Sequence, residues 1–215
     1  MPLTLTEARE ADALRITEIH IAAFRDNPML LAQFPTPTVL ADYFDTLVQK
    51  ARDEIRDPKW AVLVVCDQPE PKPQVGQDTA RVVISFAKWR RPIEESRVES
   101  YIQVPWEWPA GTRFDILEQW SERVEAAARM LVGAMPYYNL SYIATDPVHS
   151  RRGAGSMLVK WGIEQATKEG VLVALESTKN ASPFYTKLGF KEEGLITMVL
   201  EEGLVYEEMC FVWRS

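Results

Sequence analysis

The stretch DPVHSRRGAGS, residues 146–156, sets Arg151 and Arg152 directly before Gly153 and Gly155. An apolar strand-like run, LSYIAT, precedes it and an amphipathic helical run follows at once. That context suits a phosphate. The N–H groups that open a helix have no partner within it, and the helix dipole adds about half a positive charge there. Glycines let a pyrophosphate approach the backbone closely, and the arginines add fixed positive charge to an otherwise acidic chain. The stretch is not a Walker loop, because no Gly-Lys-Ser/Thr follows. It is not the dinucleotide fingerprint either, since the third glycine is missing at the right spacing. A plain Gly-rich entry into a helix is the alternative reading.

The elements that must position this turn read as follows. Leu3 to Arg9 alternates like a short strand, and Ala11 to Phe24 carries a helical apolar stripe. DNPMLLAQFPTP breaks regularity with three prolines, and a second helix is expected from Thr38 to Asp53. Trp60 to Cys66 and Ala80 to Trp89 read as an antiparallel strand pair around the Pro-rich loop DQPEPKPQVGQD. Residues 91–112 form an irregular insertion with Trp106 and Trp108, either a plug on the core or a wall of a substrate pocket. Phe114 to Val132 is a helix. The second half alternates: strand Tyr138–Thr145, helix Gly153–Glu169, strand Val171–Ser177, short helix Ser182–Leu188, strands Phe190–Leu200 and Tyr206–Trp213. Strand–helix–strand in the middle with flanking hairpins predicts an α/β domain over residues 1–215, with a mixed sheet.

Composition narrows the function. The net charge of −7 argues against a nucleic-acid binder and leans toward a neutral or cationic substrate. Cys66 and Cys210 lie in apolar runs and read as reduced, buried small hydrophobes. With two histidines, His20 and His149, and no Cys/His cluster, no metal site is expected. No signal peptide or membrane span is read, so a cytoplasmic protein is expected.

DPVHSRRGAGSMLVKW resembles the coenzyme motif of the GNAT acetyltransferases, Gln/Arg-x-x-Gly-x-Gly/Ala. Gly153 and Gly155 fall on its glycines and Arg152 on its basic position, while Ser150 departs from its Gln/Arg position. ALESTKNASPFYTKLGFKEEG resembles the later motif of that family through Asn180, Tyr185 and Leu188-Gly189-Phe190. Gly153 and Gly189 stand 36 residues apart, close to the spacing usual in the family. The two motifs cover residues 138–195, and the FAKWRRP segment resembles members common in fungi.

The resemblance implies a GNAT fold: a mostly antiparallel sheet flanked by helices, with one splayed parallel strand pair. It implies acetyl-CoA as cosubstrate and a primary amine, of a small molecule, as acceptor. A protein or peptide acceptor, or a non-catalytic acyl-CoA-binding module, is the alternative. The chain would act as a monomer or homodimer. By the same resemblance, Ile143, Ala144 and Thr145 would bond the pantetheine arm, and Arg151, Arg152, Gly153, Ala154, Gly155 and Ser156 would hold the pyrophosphate. Asn180 would bond the arm as well, its alternative being a helix cap. Tyr185 would bind the coenzyme and protonate the departing thiolate, its alternative being a core aromatic. Asn139 and Ser141 fall where some members carry a base, and neither is one. Glu94, Glu95, Glu99 and His20 are the other candidates, and no base is assigned.

Overall fold

The computed structural model describes residues 2–67, 81–92 and 106–215. Its strands are β1 (Leu3–Glu7), β2 (Trp60–Asp67), β3 (Val82–Arg90), β4 (Tyr137–Thr145), β5 (Leu172–Thr178), β6 (Lys191–Val199) and β7 (Val205–Trp213). Its helices are α1 (Ala13–Phe24), α2 (Pro28–Gln33), α3 (Pro37–Arg56), α4 (Phe114–Val132), α5 (Ala154–Glu169) and α6 (Ser182–Lys187). The strands form one mixed sheet in the order β1-β2-β3-β4-β5-β7-β6, antiparallel except for the parallel pair β4–β5. The expected fold class is therefore the observed one.

β2 explains the layering. Its run WAVLVVCD is apolar without alternation because both faces are covered. Val62, Val64 and Cys66 pack with Ala13, Ile16, Ile19 and Ala51 of α1 and α3. Ala61, Leu63 and Val65 pack in the opposite core with Ala154, Leu158 and Val159 of α5. β3 places Lys88 on the α1/α3 side, fully buried, where Glu54 of α3 pairs with it at 2.6 Å. A buried cation is tolerated when paired in this way.

The α5 side is closed by a side chain that needs a glycine opposite. Trp89 is fully buried, and a Cβ on Gly162 of α5 would sit 2.3 Å from its ring. Gly162→Ala should therefore destabilise the fold by about 1–3 kcal/mol through overpacking. A melting temperature lower by several degrees checks this; an unchanged one would mean that the ring can retreat.

Two features of β4 matter for function. Lys88 pairs with Tyr142 but Trp89 pairs with Leu140, so Ser141 is an extra residue, a bulge that bends the strand. On its other edge β4 pairs with β5 only through Tyr137–Asn139 against Leu172–Ala174. Beyond Asn139 the two strands run on without pairing, and the sheet opens between them.

Of the irregular segments, residues 68–80 and 93–105 lie outside the described residues, and with them Glu94, Glu95, Glu99 and most of the 91–112 insertion. Trp106 and Trp108 stack on each other at 4.2 Å and pack on Leu30, Phe34, Val39 and Tyr43 of the α2–α3 region. They fall on the core-plug side of the two readings.

Candidate active site

The turn between β4 and α5 is built from its first residue. Asp146 donates its N–H to the Ile84 carbonyl at 2.8 Å. One of its carboxylate oxygens accepts from Val148 N–H at 3.1 Å, and the other pairs with Arg15 of α1. Arg15 also donates to the Val83 carbonyl at 3.1 Å, so the turn is fastened to β3 and α1 together. Arg151 then takes a left-handed conformation, φ 63°, and Gly153 another, φ 89°. A side chain at Gly153 would be strained by that φ, although space around it is open.

The turn is not closed on itself. His149 N–H bonds to Asp146 O at 2.8 Å and Met157 N–H to Gly153 O at 3.1 Å. Among the described residues, the N–H groups of Arg151 to Ser156 have no protein acceptor. They stand at the positive end of a helix of 16 residues whose first turn holds no acidic side chain.

A cavity of about 840 Å³ connects this turn to the far side of the sheet. At the turn it is lined by Ser150, Arg151, Gly153, Ala154, Gly155 and Ser156. It passes between the unpaired edges of β4 and β5, along Ile143, Ala144, Thr145, Ser177 and Thr178, and beside Tyr185 of α6. It ends in a chamber bounded by Phe24 of α1 and Asn27 beyond it, by Trp120 and Glu125 of α4, and by Tyr142. Asn139, Ser141, Glu176 and Glu208 line the cavity as well.

The structure thus brings together Ile143, Ala144, Thr145, Arg151, Gly153, Ala154, Gly155, Ser156 and Tyr185. Two sequence candidates stand apart from that wall. Arg152 turns away: its guanidinium donates to Asp67 at the end of β2 at 2.6 Å and lies 3.3 Å from His149 Nδ1. The left-handed turn at Arg151 separates the directions of the two adjacent arginines. Asn180 is exposed in the single turn Lys179–Ala181, beside Ala181, which does line the cavity. Nor does Asn180 cap α6, which starts without a side-chain cap.

Tyr185 is buried at 4% exposure among Phe184, Phe190 and Phe211. Burial raises its pKa well above the ordinary phenol value, and a hydrogen bond with Ser177 opposes that rise. It therefore carries its proton at any neutral pH. His20 is buried against Phe24, Phe86 and Tyr142, and burial drives its pKa down to about 3. It is too weak a base to serve.

Sequence reasoning missed Glu176 and Glu208. Burial, and then the charge of Glu208, push the Glu176 carboxyl up to about 7, while a hydrogen bond from Asn139 holds it down. Ser141 Oγ donates to Asn139 Oδ1 at 2.6 Å, which turns the Asn139 amide donors toward Glu176. Glu208 accepts from the Tyr206 hydroxyl at 2.5 Å, and that hydroxyl accepts from Asn27 at 3.2 Å. The signal was available: Glu176 directly follows the apolar run VLVAL within the same strand, and a carboxylate inside a largely buried strand needs a reason.

Residues 114–192 match the family model of the acetyltransferase (GNAT) domain. The chain contains a GNAT acetyltransferase domain. A probable acyltransferase of Ajellomyces capsulatus, SID5, is 48% identical over 53 residues, covering 25% of this chain and 39% of that protein. The chain therefore matches about two fifths of the length of that curated relative. Among solved structures, the polyamine N-acetyltransferase of Drosophila melanogaster shares the fold with a TM-score of 0.63 at 13% identity over 100% of both chains. The PaiA N-acetyltransferase of Thermoplasma acidophilum, solved with coenzyme A, does so at 0.55 and 12%, again over 100% of both. At these identities the likeness is one of fold. Among the described residues of the GNAT domain and its surroundings, no helix is long and apolar enough to cross a membrane. No group of three or more His, Cys, Asp or Glu among them could hold a metal ion.

Proposed function

We propose that this protein transfers an acetyl group from acetyl-CoA to a primary amine of a small molecule by direct attack. One observation carries the reading. Unpartnered helix-opening amides, the free edge of β4 and a chamber with a carboxylate of pKa about 7 form one continuous cavity. A diphosphate fits the amides of Arg151 to Ser156, with Arg151 beside them, and an extended amide-bearing arm fits the open edge at Ile143–Thr145 as an added strand. A small acceptor suits a chamber bounded by Phe24, Asn27 and α4.

Acetyl-CoA supplies an activated acyl carbon, and the residues of this chain do the rest. Glu176 accepts a proton from the amine, whose nitrogen bonds to the acyl carbon. The C–S bond breaks, and Tyr185 gives its proton to the sulfur. Main-chain N–H groups on the open β4 edge stabilise charge on the acyl oxygen. Both ends of the proton path lie in the cavity that orients the reactants.

Calorimetric titration with coenzyme A, together with thiol release from acetyl-CoA across an amine panel, tests this. Binding and amine-dependent release are expected. Arg151→Ala should weaken coenzyme binding about tenfold, and Arg152→Ala by less, because Arg152 is spent on Asp67. Binding without release for any amine would mark a non-catalytic module. The absence of coenzyme binding would overturn the proposal.

A further inference from the structure

We propose that the acceptor carries a second basic nitrogen besides the one acylated, and that Glu208 is the specificity-determining residue that selects for it. The inference rests on the acyl-transfer reading above. Three carboxylates line the acceptor chamber: Glu125 of α4, Glu176 of β5 and Glu208 of β7. The cationic side chain that lines the cavity, Arg151, belongs to the turn at the opposite end. Among the described residues, neither Glu176 nor Glu208 forms a salt bridge with a lysine, arginine or histidine. Thr178 pairs with Glu208 across the β5–β7 ladder, which puts Glu176 two residues from that register point. Two carboxylates so close repel, and a cation between them removes the repulsion.

Acyl transfer needs a single base. Glu208 is left over, and it is not loose. The Tyr206 hydroxyl engages one of its oxygens, and Asn27 fixes Tyr206 while also accepting from the Met29 and Leu30 amides at the start of α2. A carboxylate held this firmly in the lining of the cavity is preorganised for a cation. Trp120 meets Tyr206 edge-on at 5.1 Å, and Trp120 and Tyr142 line the same cavity as Glu208, so aromatic rings share it with the carboxylate. Such rings favour an ammonium group over a neutral one. A second ammonium at Glu208 also leaves the reacting nitrogen to Glu176.

The test compares a linear diamine with a monoamine of equal chain length. In thiol-release assays the native protein should show a KM for the diamine at least tenfold below that for the monoamine. Glu208→Gln should shrink that ratio about tenfold. Tyr206→Phe, which frees Glu208 without removing its charge, should shrink it about threefold. Equal KM values in the native protein, or a ratio unchanged in both variants, would overturn the proposal. Calorimetric titration of the diamine into the coenzyme A complex gives a readout independent of turnover. Diamine binding lost in Glu208→Gln, with no thiol release from any form, would sink acyl transfer and keep the cation site. Release with monoamines but no diamine preference would do the reverse.

Discussion

Glu176→Gln is expected to lower acetyl transfer at pH 7 by roughly 100- to 1,000-fold, the range of a lost general base. The pH profile is the sharper readout. Glu176 works as a base only when deprotonated, and its carboxyl sits at about 7. In the native protein kcat/KM should therefore rise with pH through about 7 and flatten above it. The groups sharing the cavity with it are Glu125, Glu208, Arg151, Tyr142 and Tyr185, and Tyr206 stands behind Glu208. Of these, Glu208 raises the Glu176 value, second to burial itself. In the variant that limb should vanish, and the residual rate should follow the amine's own loss of its proton. A variant with the same limb near 7 would show that another group titrates there.

Tyr185→Phe should lower turnover by about 100-fold while changing coenzyme affinity by no more than about threefold. The substitution keeps the ring, which packs against Phe184 at 5.0 Å, Phe211 at 5.5 Å and Phe190 at 5.8 Å. Stability should therefore hardly change, and thermal melting can confirm it. Burial makes the phenol a weaker acid than usual, which at first sight argues against proton donation. A thiolate released beside the buried phenol loses hydration for the same reason, so the two groups rise together and transfer stays accessible. Turnover within a factor of two of the native value would leave Tyr185 as a packing residue.

These predictions rest on residues of unequal legibility. The long elements showed in the sequence because each carries its own period: helix α4 at three and four, strand β2 as an unbroken apolar run. Helix α2 lies in the proline-broken stretch DNPMLLAQFPTP, where the pattern predicts no regular element. It spans 6 residues, fewer than two turns, so periodicity had nothing to work on. Its cap was there to be read, since Asn27 before Pro28 is a helix start and its side chain accepts from Met29 and Leu30. The turn at Asp146–Ser156 was legible for a similar local reason. A strand, a Gly-rich turn and a helix in succession place amides at a helix end whatever the rest of the chain does.

What the sequence alone determined were the local properties: which segments are helix or strand, where backbone donors are exposed, and which residue types stand near them. Tertiary structure decided which of two adjacent arginines faces the cavity, because the left-handed φ at Arg151 sends Arg152 back to Asp67 on a distant strand. It also decided that Glu176 is an unusual carboxylate. Its proton affinity comes from burial and from Glu208, and only the β5–β7 register brings that second charge alongside. Charge coupling acts through space, so residues far apart in the chain acquire a shared chemistry only when the sheet sets them side by side.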